Sequence, residues 1–213
     1  MKIEFKHVTP DPLKDIKHNE KSIWGNTFAL KHSEKVLLNA ASGKGKTTFT
    51  HLIAGIRKDF SGDIYFDGND IVNFTPEEWA KIRKQEISFI FQDLQLFYHL
   101  SVMDNLKVKN QLSNTFTEDE LKTMLDKLEI LDKAETECNL LSMGQQQRVA
   151  IIRSLCQPFQ WLIMDEPFSH LDELNTEKSL QLINKRCNTI NAGFVLTSLG
   201  SYHKADYNKE LYL

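Results

Sequence analysis

Short, unbroken apolar runs alternate along this chain with longer stretches in which apolar residues recur every three or four positions. Lys35-Val36-Leu37-Leu38-Asn39 is too short for a helix and apolar on both faces. That is the pattern of a strand covered on each side of a parallel sheet. Trp161-Leu162-Ile163-Met164 and Phe194-Val195-Leu196-Thr197 read the same way. Between them, Leu171 to Asn188 carries Leu174, Leu180 and Ile183 at mixed helical spacing and predicts a crossover helix. The opening Met1-Lys2-Ile3-Glu4-Phe5 alternates like a strand and carries no signal-peptide core.

A second texture fills the middle. Gly62-Asp63-Ile64-Tyr65-Phe66-Asp67-Gly68 is a short strand ending in Asp-Gly, a hairpin signal. Thr75-Pro76-Glu77-Glu78 predicts a helix start, with Thr75 as N-cap, Pro76 in the first position and Glu78 closing a capping box. That helix should run to about Gln85, ahead of a strand over Glu86 to Phe91. From Asp93 to about Gln157 no buried strand is evident, and the pattern is helical and polar. The sum is an α/β domain: a strand-rich core with an inserted helical lobe.

Composition narrows the function. With 213 residues, 41% hydrophobic and 26% charged, the chain supports a full core without metal or disulfide staples. A net charge of −3 gives no bulk electrostatic case for nucleic acid. No run approaches the roughly eighteen apolar residues of a spanning helix. Cys138, Cys156 and Cys187 are odd in number and scattered, as reduced, buried thiols are, and form no zinc framework. Glu118-Asp119-Glu120 reads as a solvated helix start. Phe97, Tyr98 and Leu100 suit either lobe core or a groove for a partner.

Three segments carry chemistry. Strand 35–39 runs into Ala40-Ala41-Ser42-Gly43-Lys44-Gly45-Lys46-Thr47-Thr48 and then a helix, the strand–loop–helix setting of a phosphate loop. Inward-pointing backbone N–H groups and a helix N-terminus favour polyphosphate there. Lys46 would reach the terminal phosphates, and the Thr47 hydroxyl would ligate magnesium. Leu162-Ile163-Met164-Asp165-Glu166-Pro167 delivers two carboxylates at a strand's C-terminal end, where open α/β sheets bind ligands. Asp165 suits a magnesium contact and Glu166 a general base for water. Leu141-Ser142-Met143-Gly144-Gln145-Gln146-Gln147-Arg148 opens a helix, either as a second anion site or as a capped surface helix.

In this order the motifs resemble the nucleotide-binding subunit of ATP-binding cassette (ABC) transporters. Ala40 to Thr48 looks like its phosphate loop, Phe91-Gln92-Asp93 like its Q-loop, and Leu141 to Arg148 like its L-S-G-G-Q signature. Leu162 to Glu166 is similar to its acidic strand, Ser169 to Asp172 to its D-loop, and Ser61 to Gly68 to its β-subdomain. The resemblance implies a P-loop NTPase (RecA-like) core with an antiparallel β-subdomain and an inserted helical subdomain. It implies one cassette over 1–213, with 1–92 and 158–213 as core plus β-subdomain and 93–157 as the signature subdomain. The text from Trp79 to Arg83 and from Gly144 to Ile151 is most like the branch serving lipoprotein release, macrolide export and cell division.

The resemblance further implies an ATPase that dimerises on ATP and drives a transmembrane permease from the cytoplasmic face of the membrane, with no nucleic acid involved. Ser42, Gly43, Lys44, Gly45, Lys46, Thr47 and Thr48 would bind ATP, and Ser142, Gly144 and Gln145 would cap the partner cassette's ATP. Thr47, Gln92 and Asp165 would hold Mg2+, Glu166 would be the base with Gln92 and Lys46 in support, and Asp172 would couple the two sites. Departures are visible. Ala40 and Met143 stand where the family has glycines, and Ser198 where it has a switch histidine; His203 is out of register. Thr9 to Leu13 supplies no aromatic to stack on adenine, and Trp24 lies too late. The alternative these departures suggest is a nucleotide-binding switch with little hydrolysis, as one half of a heterodimer.

Overall fold

In the computed structural model, which describes residues 1–16, 20–199 and 206–213, the three apolar runs become neighbouring parallel strands. The chain begins with β1 (Ile3–Pro10), a 3-10 turn at Asp11–Leu13, β2 (Phe28–Leu30), β3 (Lys35–Asn39) and α1 (Lys46–Ile53). β4 (Phe60–Phe66), β5 (Asn69–Asp70), α2 (Pro76–Gln85) and β6 (Ile87–Ile90) follow. Three helices come next: α3 (Val102–Asn110), α4 (Glu118–Lys127) and α5 (Met143–Leu155). β7 (Trp161–Asp165), α6 (Glu173–Ile190), β8 (Gly193–Ser198) and β9 (Lys209–Tyr212) close the fold.

Two sheets result. β2-β1-β4-β5 is antiparallel, and β6-β7-β8-β3-β9 is parallel throughout. The parallel sheet explains the unbroken apolar runs, because successive side chains point to opposite faces. Val36, Leu38, Trp161, Ile163 and Val195 pack with the antiparallel sheet and α1. Leu37, Leu162, Met164, Phe194 and Leu196 pack with the helical lobe and α6. The same alternation decides which face receives the polar residues at the strand ends.

Local signals translate directly. Asp67 and Gly68 both take positive φ, 47° and 83°, as a two-residue hairpin turn requires. Thr75 and Glu78 form the reciprocal capping box at the start of α2. Glu118 opens α4 and pairs with Lys107 and Lys122. The three cysteines are free and buried. One reading needs correction and one open choice is settled. Leu174 is exposed, so the buried stripe of α6 runs through Leu180, Leu182, Ile183 and Cys187 instead. Phe97, Tyr98 and Leu100 are exposed and do not belong to the lobe core. No helix among the described residues is long and apolar enough to cross a membrane.

Candidate functional site

The ends of β3, β7 and β8 bring the site together. Parallel pairing sets Asn39 beside Ser198 and Asp165 beside Thr197, so the phosphate loop, the acidic pair and the end of β8 share one edge of the sheet. The loop turns at Gly43 and Gly45, with φ of 74° and 102°. At Gly45 the φ of 102° strains any other residue, and a β-carbon would also crowd Leu13 Cδ1 at 2.5 Å and Trp24 Nε1 at 3.0 Å. Ala40 keeps an ordinary place at the end of β3, its N–H donating to the Ser198 carbonyl at 3.1 Å.

Lys46, 6% exposed, opens α1 and turns back over the loop. Its ammonium donates to the Ala40 and Ala41 carbonyls, both at 3.1 Å, and lies 3.3 Å from Glu166 Oε1. One residue on, the Thr47 hydroxyl donates to Asp165 Oδ2 at 2.8 Å. Asp165 is 1% exposed, and the Thr197 hydroxyl satisfies its other oxygen at 2.8 Å. Such pairing is what a buried carboxylate needs. Gln92 is exposed and lines a cleft of about 560 Å³ together with Thr47, His51, Phe91 and Asp165. Ser42 and Gly43 are exposed, and Lys44 and Thr48 half-buried, along the rim of the loop.

The signature residues lie in a separate recess. Ser142, Met143 and Gly144 line it with Arg148, His170, Leu171, Asp172 and Asn175. Ser142 caps α5 by accepting from the Gln145 N–H at 3.3 Å, and Gln145 Oε1 accepts from the Ser142 N–H at 2.9 Å. Among the described residues both side chains serve only as acceptors, which leaves the serine hydroxyl proton and the glutamine amide protons for another ligand. A β-carbon on Gly144 would come within 2.8 Å of the His170 carbonyl oxygen, which explains the glycine. Met143, in place of a glycine, is 48% exposed and meets no such wall. Asp172 caps α6, and the Asn175 N–H it accepts at 2.7 Å holds its carboxyl below the ordinary carboxylate value.

Three residues at these sites escape a motif reading. Trp24 donates its indole N–H to the Lys44 carbonyl at 3.2 Å and braces the loop from outside. Gln147 donates to the Glu166 carbonyl at 3.3 Å and to Ser169 Oγ at 3.2 Å, and accepts from the His170 N–H at 2.9 Å. It thus ties the signature helix to the segment after the acidic pair. Thr197 is the third. Ser198 is 3% exposed at the end of β8, and His203 lies outside the described residues.

A hard dication fits the Thr47–Asp165 pair, since Mg2+ prefers oxygen donors and takes one or two protein ligands plus substrate phosphate. No group of three or more His, Cys, Asp or Glu side chains among the described residues is placed to hold a metal without such help.

Known proteins share this sequence pattern and fold. Residues 25–169 match the family described as "ABC transporter". The cell division ATP-binding protein FtsE of Escherichia coli (strain K12) is 34% identical over 186 residues, covering 86% of this chain and 82% of FtsE. The lipoprotein-releasing system ATP-binding protein LolD of Buchnera aphidicola subsp. Acyrthosiphon pisum (strain APS) is 32% identical over 175 residues, covering 81% and 77%. Among solved structures, the dimeric bacterial ABC transporter cassette MJ0796 superposes with a TM-score of 0.77 at 27% identity, over 92% of this chain and 87% of that one. The chain therefore belongs to the ABC transporter family, as one of its ATP-binding and hydrolysing cassette subunits.

Proposed function

We propose that this cassette binds Mg2+-ATP at the Lys46–Thr47–Asp165–Glu166 cluster and hydrolyses it between two cassettes. The observation behind this is the pair of contacts at the strand ends: Thr47 on Asp165 and Lys46 on Glu166. The loop N–H groups and α1 hold the phosphates, with Ser42 to Thr48 lining the cradle. Thr47 and Asp165, with Gln92 in the same cleft, would hold Mg2+, which offsets phosphate charge. At rest Lys46 occupies Glu166. An arriving phosphate competes for the ammonium, and its withdrawal frees the carboxylate to act as base. Glu166 then takes a proton from water as the water oxygen bonds to the γ-phosphorus. The bond to the bridging oxygen breaks, and ADP and phosphate are the products.

Ser142, Gly144 and Gln145 would close over nucleotide held by the other cassette, and Asp172 would couple the two sites. A second copy of this chain or a sister cassette would serve as that partner. The chain would act as one unit over 1–213, with 93–157 as the lobe facing a transmembrane permease, peripheral on the inner face of the membrane. Steady-state ATP turnover with Mg2+, beside Glu166→Gln and with scattering to follow dimers, tests the reading. Turnover abolished by the substitution is the expected result. A second reading rests on Ser198, which offers no imidazole to the γ-phosphate. ATP-induced dimers without turnover in either form would favour it and overturn stand-alone hydrolysis.

A further inference from the structure

Thr197 and Ser198 are the buried polar residues that end an otherwise apolar strand, and Thr197 is the one set against the acidic pair. It lies at the C-terminal end of β8, is 1% exposed, and pairs in register with Asp165. Its single hydroxyl does two things. It donates to Asp165 Oδ1 at 2.8 Å, and it accepts from the Glu166 N–H at 3.1 Å. Asp165 is thereby gripped from both sides, since Thr47 holds the other oxygen. Glu166 has φ of 50°, a left-handed geometry that a glutamate keeps only where its surroundings hold it. Thr197 holds its N–H, Gln147 and the Ser169 N–H hold its carbonyl, and Lys46 holds its carboxylate.

We propose that Thr197 is a positioning residue for hydrolysis, fixing through one hydroxyl both the carboxylate that would hold the metal and the backbone of the base. The proposal rests on the roles given above to Asp165 and Glu166. Its consequence is that the metal side and the water side of the site share one hinge point. A carboxylate that rotated to follow the ion would pull on the hydroxyl that sets Glu166. Threonine suits the task because its branched Cβ restricts χ1 in a strand, so the hydroxyl is aimed as well as present. The arrangement also bears on Ser198. The residue before the absent histidine keeps the base aligned without any imidazole.

The experiment compares the parent chain with Thr197→Val, which keeps the branched shape and removes the hydroxyl, and Thr197→Ser, which keeps the hydroxyl. Two quantities are read: the Mn2+ midpoint for binding with ADP, by electron paramagnetic resonance, and kcat against KM for ATP at saturating Mg2+. The expected result for valine is a midpoint raised about tenfold and kcat lowered about 10- to 100-fold, the usual cost of losing an outer-shell partner. KM should change little, and serine should restore both quantities to within about threefold of the parent. Circular dichroism checks folding, and Thr197→Ala is read in the same way should valine fail to fold. A hydroxyl-free variant that folds and matches the parent in both quantities overturns the proposal. So does a serine variant as impaired as valine. If Glu166→Gln leaves turnover unchanged, the base assignment fails by itself. The Mn2+–ADP measurement needs no hydrolysis and then decides the Thr197–Asp165 half.

Discussion

The two halves of the candidate site are built on opposite plans. At the phosphate loop the charges are buried and already paired: Lys46 holds two carbonyls and Glu166, and Asp165 has both oxygens occupied by hydroxyls. At the signature recess the polar groups cap their own helices and keep protons to spare. The apolar neighbours Leu140, Met143 and Leu174 stand 74%, 48% and 58% exposed. The first arrangement can take a polyphosphate by exchanging internal partners for phosphate oxygens. The second spends its internal bonds on holding its own helices and presents a surface. A half-site of this kind gains function only against another molecule.

The largest effect should come from removing the buried cation of the loop. Lys46→Ala should lower ATP turnover by about 10³-fold, the scale of losing a preorganised charge at a developing oxyanion. Steady-state phosphate release measures it. A substituted chain that still turned over would show that its buried pairing is structural only. Next in size is Gly144→Val. Its branched side chain would press on the His170 carbonyl, which already lies 2.8 Å from where a β-carbon would sit. Turnover should fall about 100-fold through misplacement of the signature segment. Nucleotide affinity of the single chain should stay within about twofold, because the loop lies elsewhere. Equilibrium binding of a fluorescent ATP analogue beside the turnover assay separates the two. An affinity that fell as far as turnover would mean that the recess supports its own loop rather than a partner's.

The residues that escaped the sequence reading share a physical reason. The elements themselves were legible because their signals are local. The apolar run of β7, the capping box at Thr75 and the Asp67-Gly68 turn each lie within a few residues. The phosphate loop and acidic pair were legible as well, since each is contiguous and their chemistry restricts residue type. Trp24 could not be placed that way. Its contact with the Lys44 carbonyl depends on how β1 and β2 pair before β3 begins. Gln147 looked like any polar position of a helix, and only packing of α5 against the segment after β7 gives it three partners. Thr197 did leave a trace. It is in phase with Val195 on one face of a buried strand, and a polar residue in that phase points toward another polar group. Naming Asp165 as that group requires the strand order, which no local pattern contains.

The smallest predicted effect concerns the open half alone and is a matter of pH. Asp172 accepts from the Asn175 N–H and side-chain amide, which hold its carboxyl below the ordinary carboxylate value in the folded chain. A carboxyl depressed by folding contributes stability that is present above its unfolded pKa and is lost as pH falls through the folded value. Melting temperature measured from pH 6 down to pH 3 should therefore include a decline below about pH 4 due to this cap. Asp172→Asn keeps an acceptor for the Asn175 N–H and removes the titration, so its curve should be flatter over that range, by no more than about 4 °C. The phosphate-loop half should be indifferent to the change, with nucleotide affinity at neutral pH equal in the two chains. Equal melting curves would mean that the charge on Asp172 adds nothing to the cap. It would then be held in reserve, like the protons of Ser142 and Gln145, for a neighbouring molecule.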